Sequence, residues 1–406
     1  MPAAPATSWP RIFLIFLRLG LTSFGGPVAH LGYFRDEFVR RRGWLDERAY
    51  ADLVALCQFL PGPASSQVGM ALGLVRGGWG GALAAWAGFT LPSAVLLTAL
   101  ALGLSARADL VPPGVLHGLK VAAVAVVAQA VWGMARTLCA GAARMALMLV
   151  SAAVLWRWGG VGPQVAVMLG AGLLSWVLWG RGAAAAPAQA EDGAALTLPL
   201  HLPLSRRGGA VLLALFAALL VLLPLAAHAG PGRLWALVNA FYRAGALVFG
   251  GGHVVLPLLQ AEVVQTGWVA PDAFLAGYGA AQAVPGPLFT FAAFLGASVQ
   301  GWPGGVLGAA VCLVSIFAPA FLLVAGALPF WEPLRASPAA RGALAGVNAA
   351  VVGLLLAALV DPVGTSALRS WADGALALVA LGALQGARLQ PWAVVLACGA
   401  LGGLLG

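Results

Sequence analysis

The sequence predicts an all-α polytopic membrane protein made of two homologous halves. Three observations carry that prediction. Of the 406 residues, 61% are hydrophobic and 9% charged, with a mean hydropathy of +0.94, whereas a soluble domain carries about a quarter charged residues. Apolar runs approaching the ~20 residues that cross a bilayer as a helix recur along the chain. The tripeptide Pro-Gly-Pro occurs twice, at Pro61-Gly62-Pro63 and Pro285-Gly286-Pro287, each inside an apolar stretch.

In chain order, apolar runs fall at 81–104, 111–135, 145–156 with a partner at 161–179, 210–227, 306–328, 342–360, 375–385 and 392–405. The runs ending at 156 and 385 are short. Two further apolar segments, 12–34 and 235–260, are interrupted by Phe24-Gly25-Gly26-Pro27 and Phe249-Gly250-Gly251-Gly252. Neither Pro-Gly-Pro can continue a helix, because each proline removes a backbone donor and glycine weakens the helix further. Broken helices survive at membrane depth only when buried in protein or lining a cavity. Matched breaks in two halves point to a transporter's binding site. No cleavable signal peptide is evident, since 12–17 is a short apolar run with no small-residue cleavage site after it.

The halves align in order. Phe16 and Arg18 read against Phe241 and Arg243, Gly43-Trp44 against Gly267-Trp268, Gln58 against Gln282, and Gly78-Trp79 against Gly301-Trp302. Pro92 falls near Pro319, and Gly118 with Lys120 reads against Gly346 with Asn348. Ordered matches at a nearly constant offset mark internal duplication. The organisation is therefore an N-terminal repeat over 1–181, an Ala- and Pro-rich linker over 182–209, and a C-terminal repeat over 210–406 that begins with a connector helix.

Arginine placement sets the relative orientation. With 46–76 treated as a re-entrant hairpin tipped by Pro-Gly-Pro, counting spans places Arg35, Arg40, Arg41, Arg42, Arg48, Arg76, Arg136, Arg144, Arg181, Arg206 and Arg207 on one face, expected to be cytoplasmic. Only Arg107 and Arg157 fall opposite. The second-half loop 260–273 carries Glu262 and Asp272 but no arginine, and Arg335, Arg341 and Arg388 return to the cytoplasmic side. This favours an inverted repeat. It requires 12–34 and 235–260 to bend back at their glycine-rich breaks; if they span fully, the repeats are parallel and the N-terminus lies outside.

The net charge of +9 does not read as nucleic-acid binding, since Lys120 is the single lysine and the arginines cluster at segment ends. Cys57, Cys139, Cys312 and Cys398 are dispersed in apolar sequence without ligand spacing and read as packing residues. GxSxG, HExxH and P-loop signatures are absent, so no enzyme, resident metal or cofactor is expected.

A helix starting inside the membrane directs unpaired N–H groups and its positive dipole end into the cavity, which suits an anion. After Pro63 the chain supplies Ser65, Ser66 and Gln67; after Pro287 it supplies Thr290. Gly62, Gly286, Gln58 and Gln282 complete the two breaks as candidate contacts. These hydroxyls equally suit simple helix caps. Arg18 and Arg243, at equivalent positions within apolar segments, are candidates to face inward beside the anion, as is Lys120; snorkelling or pairing is the alternative. Proton coupling needs a titrating group in a cavity, for which Asp52, Glu37, Glu262, His253 and His30 are candidates, with solvated ion pairing the default for Glu37.

These residues resemble the chromate transporter family in its long, two-domain bacterial form. The resemblance rests on Phe24-Gly25-Gly26-Pro27, Gly43-Trp44-Leu45, the run from Cys57 through Pro61-Gly62-Pro63 to Gln67, and the second-half Phe249 to His253 and Gln282 to Pro287. It implies export of chromate, a tetrahedral dianion, from the cytoplasm across the bacterial inner membrane. It also implies halves of opposite topology and secondary coupling to the proton-motive force. Two alternatives stand beside it: a transporter of sulfate or an organic anion, and a membrane scaffold subunit with no flux of its own. The sequence leaves the oligomeric state open.

Overall fold

The computed structural model describes residues 7–106, 112–179, 204–229, 232–249 and 252–405, and among these every regular element is helical. Arg107, Arg181, linker residues 182–203 and the glycines at 250 and 251 lie outside the described residues.

The first half opens with α1 (Trp9–Thr22), which has proline in its first turn, and α2 (Gly26–Phe34), which continues as a π-helical turn over Arg35–Arg41. Gly25 and Gly26, with φ of 98° and 76°, form the reversal between them. The third helix, α3 (Glu47–Phe59), is capped by Asp46, whose carboxylate accepts the Ala49 N–H at 2.7 Å. After the first Pro-Gly-Pro comes α4 (Ala64–Ala106), one long helix with non-helical backbone at Gly77 and Gly78. The expected run at 81–104 is its second arm. Next come α5 (Pro113–Leu138), α6 (Ala142–Arg157) and α7 (Val161–Trp179).

The connector α8 (Arg206–Ala229) takes in the last four residues of the expected linker, because the Ser205 hydroxyl accepts the Gly208 N–H at 3.1 Å and caps it. The second half continues with α9 (Arg233–Ala246), α10 (Val255–Val263), α11 (Pro271–Ala283), α12 (Phe291–Ser298) and α13 (Gly305–Ala327). It closes with α14 (Trp331–Ala336), α15 (Pro338–Ala358), α16 (Thr365–Ala367), α17 (Trp371–Gln385) and α18 (Pro391–Leu405).

Six of the described helices are long and apolar enough to cross a membrane, namely α4, α5, α7, α8, α13 and α15 with its continuation. Their outward surfaces carry Leu169, Leu222, Val314 and Leu96 in the open, as a lipid-facing wall requires. The protein is thus a multi-pass membrane protein. Its four cysteines are buried and unpaired, consistent with packing.

Contacts are duplicated between the halves. The first helix of each half crosses the long helix after its Pro-Gly-Pro, α1 on α4 and α9 on α13. At Gly20 and Gly245 there is no room for a Cβ, which would meet the Phe89 and Ile316 carbonyls, close to the helix-interior prolines Pro92 and Pro319. The terminal helices are exchanged. Ala122, Ala125 and Val126 of α5 pack on Val394, Val395 and Cys398 of α18, while Ala349 and Val352 of α15 pack with Met148 of α6. Each half thus covers part of the other.

Both interrupted segments of the first half fold out and back. The Thr7 N–H donates to the Arg76 carbonyl at 3.0 Å, Arg76 stacks over Trp44, and Arg35 pairs with Glu47 at 2.7 Å. The start of α1, the end of the α2 segment, the start of α3 and the end of α4's first arm therefore meet at one end of the molecule.

Candidate functional site

Each Pro-Gly-Pro break is tied to the other half by a backbone hydrogen bond. The Gly62 N–H donates to the Val248 carbonyl at 2.7 Å, and the Gly286 N–H donates to the Ser23 carbonyl at 2.9 Å. Each break is thus held by the first break of the other half, where α9 and α1 respectively have just ended. Both glycines need their positive φ, 119° at Gly62 and 99° at Gly286, to aim these N–H groups out of the chain.

Around the crossing lies a shell of buried polar groups. Ser65 and Ser66 are each 3% exposed and Gln67 is fully buried. Gln67 folds over its own break, its Nε2 donating to the Pro61 carbonyl at 2.8 Å. Buried His30 lies 3.2 Å from the Ser23 carbonyl through Nε2 and 3.4 Å from the Ser65 hydroxyl through Nδ1. A carbonyl only accepts, so Nε2 carries the proton, and in the neutral ring Nδ1 accepts from Ser65. In the second half the Thr290 hydroxyl turns back to the Pro287 carbonyl at 2.7 Å as a local cap, and the Tyr278 hydroxyl sits 2.8 Å from His253 Nδ1.

Among the described residues, the buried side-chain atoms without a hydrogen-bond partner include Ser23 Oγ, Ser66 Oγ, Gln67 Oε1 and Thr90 Oγ1. Orphaned buried polar groups are rare, and each requires an explanation. These four come from the end of α1 and from α4. Three of the four are hydroxyl groups. The first-turn N–H groups of α4 have no intrahelical acceptor.

The expected cations do not join this shell. Arg18 is exposed, because Ile12, Ile15, Phe16 and Leu19 form the buried stripe of α1 and Arg18 falls on the opposite stripe with Arg11, Leu14 and Leu21. The expectation that it faces inward is corrected by this geometry. Arg243 is partly buried and ion-paired with Glu262, so these two candidates neutralise each other. Lys120 Nζ, almost fully buried, donates to Asp272 at 2.7 Å across the halves. That hydrogen bond is the main cause that holds the Asp272 carboxyl, in the first turn of α11 outside the spanning helices, below its usual range.

The pair lines a cavity of about 490 Å³ that also holds His117, Asp373 and Arg369, with His117 2.7 Å from Asp373. Of the other candidates, Gln58 is exposed and Asp52 partly buried on α3. Glu37 accepts from Arg42 at 2.6 Å and Arg41 at 3.1 Å. Burial works to raise its carboxyl, but these two hydrogen bonds outweigh burial and hold it below its usual range.

The profile of the chromate transporter family matches residues 10–176 and 235–403, both halves and nearly all of each. The chain belongs to the chromate transporter family. It is 30% identical to the chromate transport protein of Pseudomonas aeruginosa over 88% of this chain and 82% of that one. It is 28% identical to a probable chromate transport protein of Synechococcus elongatus over 93% and 90%, and 29% identical to the chromate transport protein of Cupriavidus metallidurans over 93% and 87%. No solved structure matches the chain.

In this chromate transporter family member, sequence reasoning named as candidates the residues that follow the breaks and did not name those that approach them from elsewhere. Ser23, Thr90, Ser93 and Tyr278 belong to no motif; each is a single polar residue in an apolar stretch. His117, Asp373 and Arg369 come together only through the exchange of α17 onto α5.

Proposed function

We propose that the protein exports chromate from the cytoplasm across the bacterial inner membrane, as a secondary active transporter working by alternating access. The observation that carries this reading is the reciprocal docking of the two breaks, which unites both halves at one donor-rich, buried locus. The substrate would sit against Ser23, Ser65, Ser66 and Thr90 and the first turn of α4. Neutral donors suit a dehydrated dianion, because they stabilise its charge without the binding strength that would oppose release.

The out-and-back course of the first two segments supports the re-entrant reading, and with it an inverted arrangement in which the second half enters from the opposite face. Rocking one half against the other would alternate access to the crossing. His30 is the coupling candidate that touches the site, whereas Glu37 and Glu262 are engaged in ion pairs.

The test is chromate uptake into inverted membrane vesicles, with the pH gradient and the membrane potential collapsed separately. Uptake that requires an imposed gradient is expected. Absence of uptake under every gradient would support the scaffold alternative. Sulfate has the same shape and charge as chromate and meets the same donors, so competition by sulfate and by organic anions in the same vesicles reads substrate preference.

A further inference from the structure

A second cavity, of about 550 Å³, lies at the end of the molecule where α1 begins, away from the crossing. It is lined by Thr7, Ser8, Arg11, Arg41, Arg42, Trp44 and Arg76. Its volume falls in the roughly 300–1,000 Å³ range of small-ligand sites. We propose that this cavity binds a tetrahedral oxyanion group, presented either by a free dianion or by the phosphate of an anionic lipid.

The charge balance is the first argument. Four guanidinium groups line the cavity, and Arg41 and Arg42 share the one carboxylate of Glu37. The neighbouring acids are engaged elsewhere, Asp36 with Arg40 at 2.8 Å and Glu47 with Arg35 at 2.7 Å. Arg11 makes no ion pair among the described residues. Like charges gathered in a concave site repel one another and focus a positive potential, which an anion relieves.

Geometry is the second argument. The Arg76 guanidinium lies over the Trp44 ring, 5.1 Å from its centre, and its Nη2 reaches the Thr7 hydroxyl at 3.5 Å. Guanidinium forks match tetrahedral oxyanions through paired hydrogen bonds. Thr7 and Ser8 add hydroxyls.

Level is the third. Trp9 and Trp79 flank the same end, both well exposed, and the Trp9 indole donates to the Gly77 carbonyl at 2.8 Å. Paired exposed indoles of this kind mark a membrane–water interface. The cavity therefore opens at headgroup depth, within reach of both sources.

The inference does not rest on the transport reading. The full-length protein is reconstituted in phosphatidylcholine nanodiscs, with and without phosphatidylglycerol, and titrated with labelled sulfate. Arg11→Gln, at an exposed position, is expected to weaken this site's occupancy by about tenfold, the scale of one lost charge-assisted hydrogen bond. Arg11→Lys should lose less, and Ser66→Ala should leave this site unchanged even where it impairs transport. If phosphatidylglycerol displaces sulfate and stabilises wild type but not Arg11→Gln, the source is lipid. If sulfate binding is indifferent to phosphatidylglycerol yet falls in Arg11→Gln, the source is the free anion. Wild-type behaviour of Arg11→Gln in both arms would overturn the proposal.

Discussion

Ser66 and Thr90 each bury a hydroxyl that no group among the described residues bonds. Leaving such a group unsatisfied costs about 1–3 kcal/mol, and replacing it by an apolar group of similar shape is often neutral or stabilising. Ser66→Ala and Thr90→Val should therefore melt at the wild-type temperature or above it. A hydrogen bond to a charged ligand contributes about 1.5–3 kcal/mol, so the same variants should lose roughly tenfold or more in chromate transport efficiency. Initial rates across a chromate series in inverted vesicles, paired with thermal unfolding in detergent, separate the two effects. A variant that is destabilised but transports normally would assign its hydroxyl to structure. Half of this shell was readable in advance: Ser65, Ser66 and Gln67 follow a helix break directly, where unpaired N–H groups must be. Thr90 and Ser23 were not, since a lone polar residue in an apolar run looks the same whether it caps, packs or binds. Arg18 was misread for a different reason. Its cost at membrane depth suggested an inward direction, yet the spacing of Ile12, Ile15, Phe16 and Leu19 already placed it on the outer stripe.

At the scale of elements, the breaks themselves were legible and their partners were not. Proline chemistry shows where a helix ends, but a hydrogen bond from Gly62 to Val248, or from Gly286 to Ser23, joins segments no local pattern connects. Those bonds make the two glycines testable and unequal. An alanine at either position adopts a left-handed backbone at a cost of order 1–3 kcal/mol. At Gly62 the new Cβ would lie 3.0 Å from the flexible end of Gln67 and 3.6 Å from Ala320. At Gly286 it would lie 2.8 Å from Ser93 Oγ and 3.3 Å from the Phe89 carbonyl, with less room to yield. Gly286→Ala should therefore be the more destabilised of the two in thermal unfolding. Adding Ser93→Ala should return part of the loss, leaving the backbone cost. Equal melting temperatures for Gly62→Ala and Gly286→Ala would mean that the break relaxes, and that the docking is weaker than its geometry implies.

Over the whole molecule, the duplication was visible as ordered sequence matches, while the exchange of terminal helices was not, because it concerns which copy of a repeated surface each helix covers. The exchange has a physical consequence. The α5 face formed by Ala122, Ala125 and Val126 is covered by α18, and the α15 face formed by Ala349 and Val352 is covered in part by α6. A half expressed alone would leave one of these faces, and its Pro-Gly-Pro N–H, without a partner. Severing the chain between 181 and 204, with α8 kept on the second fragment so that its orientation is unchanged, removes none of these contacts. The two fragments produced together should therefore co-purify through a tag on either one and restore chromate transport. Each produced alone should fall well below wild-type abundance in the membrane. A first half that accumulates and transports by itself would show that the crossing is dispensable. That result would also refute the single shared site, because one break would then suffice to bind and release the anion. If only the joint pair transports, the working unit is the crossing itself, assembled from both halves and lost with either.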